Sequence, residues 1–253
     1  MKKENIQIAD RTCTIYRSEH PEYLLIQPID EHDLEVLDNE VAVIQSLTKK
    51  NFTLVAFEIK DWQSELTPWT APAVFGKTAS KREQRDACIS YAKCEQTRPK
   101  VKNPFGDGAV VTLSFIKDIL IPQLEQMQLF DENNMQCVLG GYSLAGFFAL
   151  WSSCQTGIFD GIAAVSPSVW YPQWMEYAEK NRPSTTSVYL SLGDKEEKTK
   201  NPTMAKVGSC IRKQHELLTA QGISTILEWN PGNHFQHSDE RTAKGFAWVI
   251  NHI

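Results

Sequence analysis

The segment with the clearest chemical potential is Leu139-Gly140-Gly141-Tyr142-Ser143-Leu144-Ala145-Gly146. An apolar run leads into it and another follows it, so the serine falls between a predicted buried strand and a predicted apolar helix. That context is typical of the strained turn that exposes a serine nucleophile at the edge of a parallel sheet. Residues two before and two after the serine must be small, because strand and helix nearly touch there, and Gly141 and Ala145 are small.

Ser143 is therefore the candidate nucleophile, although a glycine-rich turn with an incidental serine is the alternative. The N–H of Leu144 stands at the start of the following helix, where it would point at a developing oxyanion. Leu144 is accordingly the first candidate oxyanion donor.

A serine nucleophile needs a base, and His234 is the candidate. It lies in Asn230-Pro231-Gly232-Asn233-His234-Phe235, directly after the last predicted strand, where a parallel sheet builds its site. His237, three residues later, is the alternative. The other two histidines that follow Ser143 fall within a helical stretch and at the chain end, where solvated surface positions are expected.

The group that orients the base is expected after the preceding predicted strand, residues 187–192. That strand runs into Gly193-Asp194-Lys195-Glu196-Glu197-Lys198, which offers three carboxylates. A solvated, charge-rich turn explains at least two of them. The residue pattern by itself leaves Asp194, Glu196 and Glu197 open as the acid.

The elements that must position these residues alternate along the chain. Alternation of polar and apolar residues predicts strands at residues 6–8 and 12–16, and an apolar run predicts one at 23–26. Further strands are predicted at residues 52–59, 137–139, 161–165, 187–192 and 224–229. Periods of three and four predict helices at residues 33–50, 109–127, 144–154, 204–221 and 241–251. We therefore predict one α/β domain over residues 1–253, with a mostly parallel sheet and an antiparallel N-terminal edge.

Residues 60–104 lose this periodicity and form a predicted cap-like excursion. Trp62 and Trp69 lie near its start, directly after a predicted strand, and two tryptophans in an aperiodic loop are costly to expose. Pockets for small molecules are mostly apolar and aromatic, so both are candidate substrate-binding residues. Plain loop packing is the alternative for either one.

Composition excludes several classes of protein. The 253 residues are 42% hydrophobic and 23% charged, proportions that suit a chain with a sizeable core rather than a disordered or coiled-coil one. Lys+Arg 26 against Asp+Glu 31 gives a net charge of −5, which disfavours a nucleic-acid-binding protein. No apolar stretch is long enough for a membrane helix, and none follows the N-terminus as in a secretory signal. Six cysteines without a C-x-x-C pair indicate reduced thiols, so we expect a cytoplasmic protein.

Taken together, these motifs resemble the family of α/β-hydrolases called putative esterases, which includes esterase D, the enterobactin-type siderophore esterases and the mycolyltransferases. The resemblance spans nearly the whole chain and is most specific in its second half. The segments that carry it are Gly141-Tyr142-Ser143-Leu144-Ala145-Gly146, Leu192-Gly193-Asp194-Lys195-Glu196, Gly232-Asn233-His234-Phe235, Glu65-Leu66-Thr67-Pro68 and Phe105-Gly106-Asp107-Gly108-Ala109.

The resemblance implies an α/β-hydrolase fold and places the acid at Glu196, three residues after Gly193, with Glu197 and Asp194 as alternatives. The family's oxyanion loop corresponds to Leu25-Ile26-Gln27-Pro28-Ile29-Asp30. Many relatives have His-Gly or Asp-Gly where this chain has Gln-Pro, and proline has no N–H to donate. The second oxyanion donor is therefore expected at Ile29, with Asp30 as the alternative.

The expected function is hydrolysis of a carboxylic ester through an acyl-enzyme. An acyltransferase that uses the same intermediate is the nearest alternative, and a catalytically inactive hydrolase-fold binding protein is a second. No metal or organic cofactor is expected, because no histidine and carboxylate residues show ligand spacing. The expected partner is a small-molecule ester, without nucleic acid or membrane. The sequence gives neither the identity of the ester nor the oligomeric state.

Overall fold

Eight strands form one sheet in the computed structural model, which describes residues 1–74 and 104–253. Their order across the sheet is β1-β2-β4-β3-β5-β6-β7-β8. The first two strands are antiparallel to their neighbours, and all other pairs are parallel. The strands are β1 (Lys2–Ile8), β2 (Arg11–Arg17), β3 (Tyr23–Ile29), β4 (Phe52–Glu58), β5 (Gln136–Tyr142), β6 (Gly161–Val165), β7 (Ser187–Gly193) and β8 (Ser224–Asn230). The predicted parallel sheet with an antiparallel N-terminal edge is confirmed.

Helices cover both faces of this sheet. They are α1 (Glu31–Leu47), α2 (Trp62–Glu65), α3 (Ala109–Phe115), α4 (Ile121–Gln126), α5 (Leu144–Ser153), α6 (Trp174–Lys180), α7 (Val207–Ala220) and α8 (Ser238–Ile250). Buried side chains of α1 and α8 pack on one face, and those of α3, α5 and α7 pack on the other. In β3, Leu25 faces the first of these cores while Leu24 and Ile26 face the second. Both faces are thus apolar, as a central parallel strand requires.

Several helix boundaries differ from the predicted ones. Helix α1 begins two residues earlier than predicted because Asp30 and Asp33 form a reciprocal capping box, and it ends three residues earlier, at Leu47. The predicted helix at 109–127 is interrupted by a π-helical turn over Ile116–Leu120. Helix α6 was not predicted, since its apolar residues follow an irregular, proline-containing stretch.

The predicted cap-like excursion is only partly described. Residues 60–74 contain the short helix α2, and the remainder, 75–103, lies outside the described residues.

Across 1–74 and 104–253, no helix is both long and apolar enough to cross a membrane. Within the same ranges, no three histidine, cysteine or carboxylate side chains are grouped as a metal site. Of the cysteines in this part of the chain, Cys13 and Cys137 are buried and all four are unpaired thiols.

A buried carboxylate lies between α1 and the sheet. Glu40 is 2% exposed, and its Oε2 accepts a hydrogen bond from Gln27 Nε2 at 3.3 Å. Gln27 Oε1 and Glu40 Oε1 have no hydrogen-bond partner among the described residues. Burial raises the pKa of Glu40 well above its usual value; the Gln27 hydrogen bond opposes this, and the charges of Asp33 and Asp239 add to it. A protonated Glu40 can donate to Gln27 Oε1 and complete the pair.

We predict that Glu40→Gln stabilises the protein at neutral pH, because the amide fills the same space without a carboxylate to neutralise. The raised pKa in the folded state means that wild-type stability falls as pH rises above the unfolded carboxyl's pKa of about 4.3. The cost is about 1.4 kcal/mol for each pH unit over which only the unfolded chain is ionised. Urea denaturation at about pH 5 and pH 8 measures this difference. Glu35→Gln, at an exposed site on the same helix, is the control; equal pH dependence in all three proteins would refute the interpretation.

Candidate active site

Ser143 lies on the turn between β5 and α5 in a strained backbone conformation. Its φ is 59° and its ψ is −116°, outside the regions that L-residues normally occupy. Two backbone hydrogen bonds hold it there: its N–H donates to Val165 O at 3.0 Å, and its carbonyl accepts from Ser168 N at 3.1 Å. Such strain costs about 1–3 kcal/mol and clusters at functional sites. The conformation is the one expected for a serine nucleophile on a strand-to-helix turn.

Small residues permit the close approach of β5 and α5. A Cβ added to Gly141 would lie 2.6 Å from Ala145 Cβ, and one added to Gly146 would lie 2.7 Å from the Gly141 carbonyl oxygen. Both distances are shorter than any normal carbon contact, so only glycine fits at these two positions. The methyl group of Ala145 is tolerated because the facing residue has none.

His234 is the histidine that the structure brings to Ser143. Its Nε2 lies 2.9 Å from Ser143 Oγ. The loop after β8 is held in place by Tyr142, whose hydroxyl donates to the His234 carbonyl at 2.9 Å. His237 is exposed, and its Nδ1 lies 3.7 Å from Glu240 Oε1 at the start of α8. The geometry therefore favours His234 over His237 as the partner of Ser143.

Glu196 completes the chain of contacts on the other side of the imidazole. Its Oε2 lies 2.7 Å from His234 Nδ1, and its side chain is 4% exposed. The second oxygen, Oε1, accepts from Gly193 N at 2.8 Å, Ser166 Oγ at 2.9 Å and Arg241 Nη2 at 2.6 Å. Because Glu196 Oε2 accepts here, His234 Nδ1 carries the proton and Nε2 is left to accept from Ser143.

Opposing effects act on the Glu196 carboxyl. Burial by itself raises its pKa, but the hydrogen bond and charge of His234 and then those of Arg241 outweigh it, and the pKa falls below the usual value. An ionised carboxylate is thus stable at this depth. It is suited to orient an imidazole and to stabilise the imidazolium.

The other two carboxylates of the same turn have different partners. Asp194 Oδ1 accepts from Gly232 N at 2.8 Å and so ties the turn to the loop that carries His234. Glu197 forms an ion pair with Arg212 at 3.0 Å on the surface. Within the described residues neither hydrogen-bonds to His234, so Glu196, the position implied by the resemblance, is the one that meets the base.

Arg241 is a site residue that sequence reasoning missed. Its side chain is 2% exposed on α8, and besides Glu196 its Nη2 donates to Ser166 Oγ. Its Nη1 donates to the carbonyls of Asn233 at 3.2 Å and Gln236 at 3.4 Å. A single guanidinium therefore joins the acid to the loop of the base. An arginine in a predicted amphipathic helix gave no local signal of this role.

The two predicted oxyanion donors, Leu144 and Ile29, differ in their placement relative to Ser143. Leu144 begins α5 and lines the same cavity as Ser143. The Ile29 carbonyl accepts from Ile59 N at 2.9 Å, on the β4 side. Within an extended strand the N–H and C=O of one residue point the same way, so the Ile29 N–H also faces β4, away from β5 and Ser143. The direction of the backbone therefore favours the alternative residue, Asp30, over Ile29 as the second donor.

Asp30 continues the extended backbone of β3, with φ −105° and ψ −175°. Its N–H points opposite to that of Ile29, towards the side of β5, and Asp30 lines a cavity together with Ser143. Backbone alternation along β3, rather than side-chain chemistry, thus decides the second candidate donor.

Residues 42–237 match the sequence profile of the family described as "Putative esterase". The matched region is most of the chain and includes Ser143, Glu196 and His234. The chain belongs to this esterase family. A search of curated protein sequences gave no significant match.

Solved structures share the fold of this esterase. An IroE-like serine hydrolase from Shewanella oneidensis superposes with a TM-score of 0.72 at 15% identity, over 98% of this chain and 79% of that one. The siderophore hydrolase EstA from Aspergillus nidulans gives 0.66 at 14% identity, covering 99% and 94%. The BES protein from Bacillus cereus gives 0.62 at 16% identity, covering 97% and 94%. At such low identity these neighbours establish the α/β-hydrolase fold and no more.

The two tryptophans of the esterase lie in different places. Trp62, on α2, lines two cavities of about 240 and 180 Å³ that both contain Ser143 and His234. Trp69 packs between Tyr171 and Tyr177, and its Nε1 donates to the Pro172 carbonyl at 2.9 Å. Trp69 lines neither of these two cavities, so the structure favours the loop-packing alternative for this residue. Aromatic packing accounts for its burial.

A third cavity, of about 360 Å³, is lined in part by Glu196 and His234. Trp170, Met204 and Phe235 form part of its apolar lining, and Phe235 is 85% exposed. Lysines at positions 195, 198 and 200 also line it. Lys195 and Lys198 belong to the charge-rich turn predicted from the sequence, whereas Lys200 lies two residues beyond it. This part of the cleft thus combines apolar side chains with three lysines.

Arg241→Met is predicted to lower the free energy of unfolding by about 3–5 kcal/mol, because it leaves the buried Glu196 carboxylate without its cation. Arg212→Met removes the guanidinium of the other arginine–glutamate pair, which is surface-exposed, and should cost about 1 kcal/mol or less. Chemical denaturation of both variants measures the contrast. Similar losses in the two would show that the buried network does not depend on Arg241.

Proposed function

We propose that this protein hydrolyses a carboxylic ester through an acyl-enzyme intermediate, with Ser143 as nucleophile, His234 as base and Glu196 as the orienting acid. The observation that carries the proposal is the unbroken series of contacts from Glu196 Oε2 to His234 Nδ1, 2.7 Å, and from His234 Nε2 to Ser143 Oγ, 2.9 Å. The shorter contact is a charge-assisted hydrogen bond that orients the imidazole, and the 2.9 Å contact allows proton transfer from Ser143 to His234 without rearrangement. Membership of the esterase family supports the reaction class.

In the first half-reaction Ser143 Oγ attacks the carbonyl carbon of the ester while its proton passes to His234 Nε2. The imidazolium is stabilised by Glu196, which stays ionised because of Arg241. Collapse of the tetrahedral intermediate breaks the bond to the alcohol oxygen, which takes the proton from His234. Water then repeats the sequence on the acyl-enzyme, releasing the acid and restoring the Ser143 hydroxyl.

The oxyanion formed in each half-reaction needs fixed donors. Leu144, at the first turn of α5, and Asp30, at the end of β3, each line a cavity that also contains Ser143. We propose these two amides as the oxyanion hole. No step calls for a metal or an organic cofactor.

The proposed ligand is a small-molecule ester in a cytoplasmic setting, with no nucleic acid or membrane partner. Two structural neighbours are described as siderophore hydrolases, and two further structures as an enterobactin esterase. A substrate screen should therefore combine nitrophenyl esters of graded chain length, a siderophore-like triester and the thioester S-formylglutathione. An acyltransferase would show itself by faster turnover when an alcohol acceptor is added, with the acyl group recovered on that alcohol.

Ser143→Ala and His234→Ala are each predicted to reduce kcat by about 10⁴-fold or more, with little further loss in the double variant, because the pair acts as a unit. The fold should be retained, since both side chains are partly exposed. Hydrolysis of a nitrophenyl ester measures the loss, with His237→Ala as the control that keeps most activity. Substantial turnover by Ser143→Ala would refute the nucleophile, and a larger loss at His237 would move the base.

Glu196→Gln tests the acid separately. The amide cannot stabilise an imidazolium and can present the wrong atom to His234 Nδ1, so we expect kcat to fall by about 10²-fold or more. Glu197→Gln, one residue along, and Asp194→Asn are the matched controls and should lose much less. Equal, small losses in all three would indicate a serine–histidine pair without a dedicated acid.

Trp62 is proposed to shape the pocket for the ester. Trp62→Ala should change the ranking of substrates across a chain-length series, because the side chain lines both cavities at Ser143. Trp69→Ala should lower the melting temperature and leave the ranking unchanged, since its contacts are with Tyr171 and Tyr177. The same proportional loss for every substrate in the Trp62 variant would make that residue structural.

A further inference from the structure

One amide of the proposed oxyanion hole already has an acceptor. The N–H of Asp30, which faces the side of Ser143, donates to Asp33 Oδ2 at 3.3 Å. The reciprocal bond, from Asp33 N to Asp30 Oδ1, is shorter, at 2.9 Å. A donor–acceptor distance of 3.3 Å is longer than the most common value for an N–H···O bond, which is about 2.9–3.0 Å. The donor that a substrate oxyanion needs is therefore held, loosely, by a carboxylate of this chain.

The same carboxylate lies inside the cleft. Asp33 lines the cavity of about 240 Å³ that also contains Ser143, Tyr142 and His234. An ionised Asp33 there has two effects on the reaction. It competes with the oxyanion for the Asp30 amide, and it adds a negative charge to a cavity in which a second negative charge must develop.

We propose, on the basis of the proposed function, that Asp33 is a positioning residue that restrains the oxyanion hole: its ionised carboxylate holds the Asp30 amide, and loss of that charge releases the amide to the transition state. The effect should fall on kcat, because the oxyanion exists only after attack by Ser143. Substrate binding in the ground state should change little.

The surroundings of Asp33 make its charge variable near neutral pH. Burial raises its pKa to about 7, and the charge of Asp30 adds to this, while the hydrogen bond from the Asp30 amide and the charge of His32 oppose it. Other ionisable groups face it from three elements: Tyr142 at the end of β5, His234 after β8, and Glu40 further along α1. The charge of Asp239, on α8, contributes to the raised pKa of Glu40.

The direction of the pH effect follows. Above its pKa Asp33 is ionised and the amide is held, so kcat of the wild type should decline as pH rises through about 7. Below it the neutral carboxyl accepts more weakly, because hydrogen bonds to charged acceptors are the stronger ones. A variant without this carboxylate should lack the decline.

Asp33→Asn is the decisive variant, because asparagine keeps the size and an oxygen acceptor for the capping box while it removes the charge. At about pH 8 we expect its kcat to exceed that of the wild type by roughly fivefold, a fraction of the ~100-fold that one oxyanion donor supplies, with KM unchanged. Glu31→Gln is the matched control. It removes a carboxylate from the same first helical turn at an exposed position outside the cavity, and its kcat should equal that of the wild type.

Nitrophenyl ester hydrolysis by the wild type and both variants, measured from about pH 6 to pH 9, completes the test. A higher kcat for Asp33→Asn alone, with the alkaline decline abolished, supports the proposal. Unchanged or lower kcat in a folded Asp33→Asn, or an equal rise in Glu31→Gln, overturns it and leaves the proposed function intact. If Asp33→Asn does not fold, a wild-type kcat that does not decline above about pH 7 overturns it instead. A wild type inert to every ester in the screen overturns the proposed function and this inference together.

Discussion

The buried carboxylate of Glu196 is the interaction on which the rest of the site depends. It receives donors from the end of β7, from the residue after β6, from the loop after β8 and from α8. A carboxylate this deeply buried is stable only when it is paired and fully hydrogen-bonded. The hydrogen bonds that stabilise the buried carboxylate also fix the positions of the strands, loop and helix that carry the donors. The proton on His234 Nδ1, and hence the free lone pair on Nε2, follows from this single group.

The second constraint is the strained turn at Ser143. Its positive φ is maintained by hydrogen bonds to the β6 strand and to the loop that follows it. The tight approach of α5 to β5, which requires glycine at 141 and 146, fixes the two elements that flank the serine. Because β5, β7 and β8 are parallel and near neighbours, their carboxyl ends bring Ser143, Glu196 and His234 to one edge of the sheet.

Two residues of the site could be predicted from short segments of the sequence. The strand–turn–helix pattern predicted Ser143 and the position directly after the last strand predicted His234, and the structure places these two side chains 2.9 Å apart. The choice of Glu196 among three carboxylates within four residues was not local. It is decided by the short 3₁₀ turn over Glu196–Lys198 and by Arg241, which is 45 residues away, so only the family resemblance pointed to it. The packing of Trp69 is also not local, since its partner Pro172 is 103 residues away.

Backbone direction was a further limit. Ile29 and Asp30 are adjacent and both can donate an N–H, and only the pairing of β3 with β4 shows which one faces Ser143. The sequence excluded Pro28 because proline has no donor, but it carries no information on the phase of the strand's hydrogen bonding. The pattern of side chains along a strand shows which face of the sheet is buried. The oxyanion hole depends instead on the direction of the backbone N–H groups, which lie in the plane of the sheet, perpendicular to the side chains.

The central claim is that Ser143 is a nucleophile activated by His234 and Glu196. Treatment of the folded protein with a fluorophosphonate, followed by peptide mapping by mass spectrometry, tests it most directly, because such reagents form stable adducts with activated serines. The account predicts one adduct, on Ser143, that forms rapidly in the wild type and is lost in His234→Ala. An unlabelled but folded wild type, or an adduct on a different residue, would contradict it.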